Sequence, residues 1–535
     1  MSLPAISFLL AGSFVDRVAQ TFFDDTFAGI HGFSWFDWAI IIPYYVLLGI
    51  VSFYGLHRYE VIRSYLKYRK RLPAAPAHFF DDLPRVTIQL PLYNERYVVE
   101  RLLEGVTQID YPHDRLQIQV LDDSTDETHP FTERLVNEYR ARGVPIEYRH
   151  RTHRHGFKAG ALDEGFQSAT GELVAIFDAD FVPPRDFLRR TVHYFTDPGI
   201  GVVQTRWSYL NRHYNLLTEV QAMLLDGHFV LEHAARCGRG LFFNFNGTAG
   251  VLRSRMIQDA GGWQHDTLTE DSDLSYRAQL KGWKFVYLPH VECPSELPVE
   301  TYGFQVQQSR WAKGLTQVMR KLLRTILKAN IPARVKLEAF CHLTPNLTFP
   351  MMVVCSALFL PVMIVRFYVG WQQMLIVDLP LVTANFLSVI AFYAYAQHEL
   401  DRKTWKRSIV MMPMVIAAGV SLTIVNARAV MEALLGVKSG FVRTPKYAIT
   451  GNQKVGAEVV KYRRRSGWLP AIEIGMGTYF LFMVLYSIET SNFIAVPFMM
   501  LFLGGYYWAG FSTLYQEYRD RLAWERQRKL KTADG

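Results

Sequence analysis

Apolar positions change their spacing twice along the chain, and each change marks an architectural border. Residues 38–56 are almost wholly apolar or aromatic, about the length a bilayer core requires, and run directly into His57, Arg58 and a basic stretch ending at Arg71. A first membrane span exiting on the cytosolic side is expected there. The earlier stretch 3–15 is too short to cross and lacks a basic leader and a cleavage site, so an interfacial helix is expected rather than a removed signal peptide. From residue 84 the pattern alternates in type. Val86–Leu92 and Leu116–Leu121 are β-rich runs, and between them Val98, Val99, Leu102, Leu103 and Val106 recur at helical spacing, which makes a βαβ unit. A second unit follows: a helix over Phe131–Tyr139, a strand at Ile146–Arg149, a helix starting near Lys158, and a strand at Leu173–Phe177. This alternation predicts a Rossmann-like α/β domain with a mostly parallel sheet. Beyond Ile331 the long apolar stretches return, at 345–366, 374–397, 409–430, 468–488 and 492–514.

Charge decides how those stretches thread. If all five crossed, the basic residues after Gly436 and the basic tail would fall on the side opposite the earlier basic loops, against the positive-inside bias. The segment 409–435, whose later part carries Asn426, Arg428 and Glu432, is therefore expected to turn back or lie in the interface; an ordinary span with an unbalanced charge is the competing reading. The expected organisation is an interfacial segment 1–33, a transmembrane helix 34–57, a basic linker 58–83, the α/β domain 84–320, interface and transmembrane helices 321–435, a cytosolic loop 436–467, a transmembrane hairpin 468–514 and a basic tail 515–535. The net charge of +9 sits beside apolar segments, which fits a bilayer partner and no nucleic acid. The chain has 4 cysteines without Cys-x-x-Cys spacing, so neither a disulfide partner nor a zinc site is expected.

In open α/β sheets ligands bind beyond the carboxyl ends of the strands, and Asn94-Glu95, Asp122-Asp123 and Asp178-Ala179-Asp180 each sit just past one. Asp178 and Asp180 can direct their carboxylates to one hard cation and through it to a diphosphate; a solvated acidic loop is the plain alternative. Asp123 can accept hydrogen bonds from a base or ribose, whereas capping of the next helix competes for Asp122 and Asp123. Lys158, between Gly156 and Gly160, is placed to meet phosphate, or is a surface lysine at a helix start. Asp271, in Thr269-Glu270-Asp271 ahead of a helix over Leu274–Leu280, suits the base that takes a proton from an acceptor hydroxyl, with helix capping as its rival role. Gln307 and Arg310 share a helix face; Arg310 can stabilise a departing diphosphate, and Trp311 offers a plane for a sugar ring, although an Arg-Trp pair is also an ordinary interface anchor.

The ordered set Tyr93-Asn94-Glu95, Leu121-Asp122-Asp123-Ser124, Lys158-Ala159-Gly160, Asp178-Ala179-Asp180, Phe245-Asn246-Gly247-Thr248, Thr269-Glu270-Asp271 and Gln307-Gln308-Ser309-Arg310-Trp311 resembles the processive family-2 glycosyltransferases. Cellulose synthase, hyaluronan synthase and the plant cellulose-synthase-like mannan and glucan synthases belong to that family, and the phrases around Asp122, Asn246 and Trp283 look closest to the mannan and xyloglucan-backbone branch. The resemblance implies a GT-A domain, Mg2+ or Mn2+ as cofactor, and an inverting transfer that makes β linkages from an α-linked donor such as UDP-glucose or GDP-mannose. By the same likeness Asp178 and Asp180 would serve metal and diphosphate, Glu95 and Asp123 the base and ribose, and Asp271 the proton transfer. Phe245, Asn246, Gly247, Thr248 and Glu270 would border the acceptor, with Trp311 under its terminal sugar at a channel mouth. Phe441-Val-Arg-Thr-Pro-Lys446 looks like the loop that closes over bound donor in cellulose synthases; taken alone it is a short basic loop. Only 515–535 follows the last apolar stretch, so no cyclic-dinucleotide-binding domain is expected at that end.

The reading that follows is a membrane-embedded synthase extending a β-glycan and threading it through its own spans. A single-transfer enzyme acting on ceramide or diacylglycerol is the alternative, since such enzymes share the acidic motifs; a non-catalytic membrane transporter or scaffold is the third possibility. The partners expected are a sugar-nucleotide donor, a glycan or lipid acceptor, and the bilayer.

Overall fold

The computed structural model describes residues 34–71, 78–369, 379–437, 443–451, 467–489 and 493–533, with single positions at 32, 76, 377 and 440. The stretch 3–15, together with Phe441 and Val442, lies outside them.

Helix α1, Trp35–Tyr68, starts at a capping box in which Ser34 Oγ accepts from the Asp37 amide and Asp37 Oδ2 accepts from the Ser34 amide at 2.8 Å. It does not stop at the end of its apolar stretch. No glycine or proline interrupts 57–68, and Glu60 pairs with Arg63 one turn on, so the basic residues there extend the same rod rather than forming a linker.

The α/β domain begins as the alternation predicts: β1 (Val86–Leu92), α2 (Val99–Thr107), β2 (Leu116–Asp122), α3 (Thr128–Ala141), β3 (Ile146–His150), α4 (Phe157–Phe166) and β4 (Leu173–Ile176). Strand β1 pairs in parallel with β2 and β4, and β2 with β3. Three strands that the sequence pattern did not reveal complete the sheet, β5 (Ile200–Tyr209), β6 (Gly250–Arg253) and β7 (Lys284–Ser295), giving among the described residues the order β3-β2-β1-β4-β6-β5-β7. Only β6 runs against its neighbours β4 and β5, while β5 and β7 are parallel, so the sheet is mixed but mostly parallel.

Both faces of the sheet are covered, which is why β1 is buried at every position. On one face Ile88 and Leu90 join Val99, Leu102, Leu103 and Val106 of α2. On the other, Leu121, Val174 and Ile176 join Leu162 of α4, Val61 and Tyr65 of α1, and Phe392 and Ala396 of a later apolar helix. The extended part of α1 is thus part of the domain core. Buried polar side chains inside the strands pair across them: Gln89 Nε2 donates to Gln119 Oε1 at 3.0 Å and Thr87 Oγ1 to Gln117 Oε1 at 2.8 Å.

Beyond β5 come α5 (Leu216–Asp226), a π-helical turn (Gly227–His233) and α6 (Ala234–Arg239), then α7 (Glu270–Leu280), the long α8 (Thr301–Lys328) and α9 (Ala333–Leu343). The remaining helices are α10 (Thr348–Val369), α11 (Leu379–Leu400), α12 (Met412–Ser421), α13 (Thr423–Leu434), α14 (Leu469–Glu489) and α15 (Val496–Ala533). Among the described residues, Trp35–Tyr68, Pro345–Arg366, Leu379–Leu400 and Leu469–Glu489 are long and apolar enough to cross a membrane. The segment suspected of turning back is broken: α12 and α13 meet at 42°. Helix α15, which takes in the expected apolar stretch from Val496 onward, is not among the four, because Gly504, Gly505, Tyr506, Tyr507 and Trp508 dilute its apolar part; it packs Met499, Leu503 and Tyr506 against Phe480, Met483 and Val484 of α14.

Gly55 sets the distance between α1 and α11, since a Cβ there would stand 1.9 Å from the carbonyl oxygen of Ala384. Gly55→Leu is expected to force the two helices apart at a cost of about 1–3 kcal/mol, read as a lower thermal midpoint of the detergent-solubilised protein; an unchanged midpoint would contradict the contact.

Candidate active site

The carboxyl ends of β1, β2 and β4 open on one crevice, and the loops after them are fastened to each other before any catalytic group is considered. Asn94, in the left-handed region at φ 55°, donates its amide N–H to Ser124 Oγ at 2.7 Å, and its Oδ1 accepts from Thr125 N at 2.8 Å. Asp122 Oδ1 accepts from Ser124 N at 2.8 Å and Oδ2 from Tyr148 OH at 2.5 Å, so this carboxylate braces the loop. Asp123 is also buried, and both of its oxygens accept from Arg151, at 2.7 and 2.6 Å. Neither residue caps α3, whose first turn begins at Thr128. Sequence reading missed Arg151; its signal was the Arg- and His-rich loop ahead of Lys158. It also missed Arg154, whose guanidinium stacks 3.3 Å above the Tyr93 ring centroid.

The antiparallel β6 explains the next contacts. Gly250 pairs with Ile176, so the residues before β6 arrive at the carboxyl end of β4. There Thr248 Oγ1 accepts the amide N–H of Asp178 at 2.9 Å, and Gly247 O accepts from Lys158 Nζ at 2.9 Å. Lys158 Nζ stands 2.5 Å from Asp178 Oδ1 and 4.0 Å from Glu270 Oε1. Asp271, in the first turn of α7, accepts the Ser272 amide at 2.6 Å rather than capping the helix; the N-cap position is Thr269. Gly247 sits at φ +80°, and a Cβ there would lie 2.8 Å from Asp271 Oδ2 and 3.4 Å from Lys158 Nζ. Glycine is the residue that fits between these charges.

On the far side of the crevice, Asp180 Oδ2 is 2.5 Å from Lys446 Nζ, which also donates to the Glu296 carbonyl at 2.5 Å. Arg443 reaches within 3.8 Å of Glu95. Glu296, which no sequence signal marked, holds this segment: its carboxylate accepts from Tyr447 N at 2.7 Å, Ile449 N at 3.2 Å and Arg101 at 2.8 Å. Arg310 joins from α8, and the carboxylates that act on its half-buried guanidinium are Asp178, Glu270, Asp180 and Glu95. Gln307 and Trp311 are half-buried on the same helix. A cavity of about 320 Å³ adjoins Arg310, with Gln305, Ser309, Lys313, Arg428 and Glu473 among its walls.

The motif Phe245–Thr248 therefore divides. The Phe245 ring is in the core, 1% exposed, with its amide held by Ser275 Oγ, and does not line the crevice. Thr248 supports Asp178 from beneath, and the Asn246 side chain is engaged by His228 and His233; Gly247 alone abuts the carboxylates.

Burial and the neighbouring Glu270 carboxylate push Asp271 up to about 7. Burial likewise lifts Glu95 to about 7, against the pull of Arg443. Burial raises Asp178 and Glu270 too, and Lys158 opposes both shifts. Burial works to lower Lys158, but Asp178 and Glu270 outweigh it and the ammonium is raised. Among the described residues no three His, Cys, Asp or Glu side chains gather as a complete metal cage. Asp178 and Asp180 nevertheless supply hard oxygen donors of the kind Mg2+ and Mn2+ take when phosphate and water complete the shell. The crevice can thus bind an anionic diphosphate and offer a carboxylate able to accept a proton near neutrality.

Residues 84–314 match the family model described as glycosyltransferase like family 2. Glucomannan 4-beta-mannosyltransferase 1 of Oryza sativa subsp. japonica is 46% identical over 250 residues, 46% of this chain and 48% of that protein. Glucomannan 4-beta-mannosyltransferase 2 of Arabidopsis thaliana is 42% identical over 269 residues, covering 48% and 50%. Probable glucomannan 4-beta-mannosyltransferase 7 of Oryza sativa subsp. japonica is 34% identical over 440 residues, 76% of this chain and 69% of that protein. The chain spans about half the length of the first two of these relatives. A solved mannosyltransferase from Pyrobaculum calidifontis, in complex with GDP-Man and Mn2+, superposes with a TM-score of 0.48 at 20% identity, over 73% of this chain and 100% of that one.

The buried Asp123–Arg151 pair gives a direct test of the crevice's charge balance. Arg151→Met strands the Asp123 charge and is expected to cost about 3–5 kcal/mol; adding Asp123→Asn should recover most of it, as measured by denaturant or thermal unfolding of the single and double variants.

Proposed function

The chain belongs to glycosyltransferase family 2, in its cellulose-synthase-like branch, and we propose that it is a membrane-embedded, inverting hexosyltransferase that extends a β-linked glycan from a sugar nucleotide. The observation that carries this reading is the gathering of Asp178, Glu270 and Asp271 about Lys158 and Gly247 on one side of the crevice, with Arg310 facing Asp178, Glu270 and Asp180. The names of the relatives favour a mannosyl donor, of the GDP-mannose type, over a glucosyl one and a growing polysaccharide over a ceramide or diacylglycerol acceptor.

On this reading Asp178 and Asp180 hold Mg2+ or Mn2+, which when bound neutralises the donor diphosphate. Lys158, Arg310 and Lys446 contribute positive charge to the same diphosphate, and Glu95 and Asp123 serve the base and ribose. Glu270, Asn246 and Gly247 border the acceptor, with Phe245 and Thr248 holding that border from behind. Gln307 and Trp311 extend it along α8, the indole forming a platform for the terminal sugar. Asp271 takes the proton of the acceptor hydroxyl as its oxygen bonds to the anomeric carbon; the bond to the diphosphate breaks on the opposite face, which inverts the centre. A carboxylate lifted to about 7 is a far better base than an ordinary aspartate at that pH.

The proposed topology also rests on contacts. Lys446 meets Asp180, so the segment 443–449 lies on the domain's side of the membrane. If α10 and α11 each cross, the chain is already back on that side before Met412, and the bent pair α12–α13 has to return to the side from which it came. Gln516 accepts from the Tyr302 amide and Arg519 pairs with Glu300, so the middle of α15, just past its apolar part, lies beside the start of α8. With α14 crossing outward, α15 crosses back despite its weaker apolar character, and both basic ends stay with the catalytic domain.

Purified protein incubated with GDP-[14C]mannose is expected to give a polymer that β-mannanase degrades, and a parallel incubation with UDP-[14C]glucose alone to give little or none; a single glycolipid product would overturn the polysaccharide reading. Asp271→Asn should lower transfer about 10²–10⁴-fold. Because the base must be unprotonated, kcat/KM for the wild type should fall as pH drops below about 7, and an activity flat from pH 5 to 8 would exclude Asp271 from that role. Chelation of divalent cations should abolish transfer, with Mg2+ or Mn2+ restoring it.

A further inference from the structure

A partly buried polar network that the transfer mechanism does not use ends on the acceptor border. The π-helical turn Gly227–His233 interrupts the otherwise continuous rod from α5 to α6, and π-turns inside helices recur at functional sites. In an α-helix two residues five apart point about 140° away from each other. The π register instead brings His228 against His233 edge to face, with ring centroids 4.3 Å apart and the ring planes at 60°. The Asn246 side chain bridges the two rings: His233 Nε2 is 2.6 Å from Asn246 Oδ1, and Asn246 Nδ2 is 3.0 Å from His228 Nε2.

The donors in this network can be ordered. His233 is fully buried and its Nδ1 has no hydrogen-bond partner, which suits a neutral ring with its proton on Nε2, donated to Asn246 Oδ1. Burial, with His228 and Arg236 nearby, holds His233 well below the usual histidine range, in accord with that neutral form. The Asn246 amide N–H then donates to His228 Nε2, and His228 Nδ1–H donates to Glu232 Oε2 at 2.9 Å. Glu232 accepts as well from Arg236 at 3.3 Å, Arg236 donates to Glu338 at 2.9 Å, and Glu338 meets His57 of α1 at 3.0 Å. One hydrogen-bonded chain therefore runs from the first apolar helix to the residue before Gly247, which touches both Asp271 and Lys158.

We infer that His228 is a positioning residue for glycosyl transfer: accepting from Asn246 at one ring nitrogen and donating to Glu232 at the other, it fixes the Asn246–Thr248 loop against Asp271 and anchors that loop to α1. This role rests on the transfer activity proposed above. It requires a side chain that accepts and donates at once, which glutamine also does and leucine does not.

The test uses full-length protein in nanodiscs with GDP-[14C]mannose, and hydrogen–deuterium exchange of the peptide spanning 244–250. His228→Leu is expected to lower kcat at least about 10-fold and to raise KM for GDP-mannose by less than that, because the loop abuts Asp271 directly and meets the donor side only through Lys158 and the Asp178 backbone. The amides of that peptide should exchange faster. His228→Gln should return kcat to within about 3-fold of wild type. Unchanged kcat and exchange in His228→Leu overturn the inference, as does a His228→Gln variant as impaired as His228→Leu. If the wild type transfers no sugar, the proposed function fails by itself, and the exchange data alone decide whether His228 holds the loop.

Discussion

The crevice depends on one constraint: carboxylates at Glu95, Asp178, Asp180, Glu270 and Asp271 are brought together where water is scarce, and each must meet a cation or take up a proton. The cations come from widely separated parts of the chain. Lys158 begins α4, Arg310 lies on α8, and Arg443 and Lys446 come from the segment between α13 and α14. The fold can therefore be understood as the means of delivering these positive charges to the carboxyl ends of three parallel strands. Where the supply falls short, protonation makes up the difference, and the residue left most exposed to that shortfall is Asp271, beside Glu270.

The antiparallel β6 is the architectural step that makes this possible. A parallel strand beside β4 would have sent its preceding loop to the opposite edge of the sheet. By running backwards, β6 puts Gly247 and Thr248 at the carboxyl end of β4, where a threonine hydroxyl secures the Asp178 backbone and a glycine lets Asp271 and Lys158 approach. The chain then spends a π-turn, two histidines and a buried Glu232–Arg236–Glu338 series on the residue just before that glycine. Such an outlay of buried polar groups is understandable where a loop must keep its place against a cluster of like charges.

How much of this could be read from residues alone follows from the range of each interaction. Strands β1 to β4 were legible because each is a continuous run of β-forming residues with a helical period between, which is local information. Strand β6, four residues long and framed by glycine and arginine, carries no such signal, and with it the mixed order of the sheet was lost. Asp178, Asp180, Lys158, Asp271 and Arg310 were legible by type and position and do converge. Phe245 was not, since a motif's residues need not all face one way: its ring fills the core while Gly247 faces the charges. Arg151 and Glu296 act through partners 28 and roughly 150 positions away, and no spacing rule reaches that far. The basic residues after the first apolar stretch read as a linker because charge marked a membrane border, yet nothing there breaks a helix, and α1 continues into the domain core.

Lys446 shows how closely donor loading and loop position are tied. Its ammonium rests on an oxygen of Asp180, one of the two carboxylates proposed for the divalent cation, and it is held there by the Glu296 carbonyl and by the amides of Tyr447 and Ile449 on the Glu296 side chain. A cation proposed at Asp180 would compete with the ammonium for this oxygen, although the carboxylate has a second oxygen to offer it. A bound diphosphate, with its own negative charge, gives the displaced ammonium somewhere favourable to go. On the proposed function, the segment that carries Lys446 would follow the charge state of the crevice. Glu296 can keep hold of the backbone while the side chain swings from Asp180 to phosphate, which lets the segment remain docked as its electrostatic partner changes.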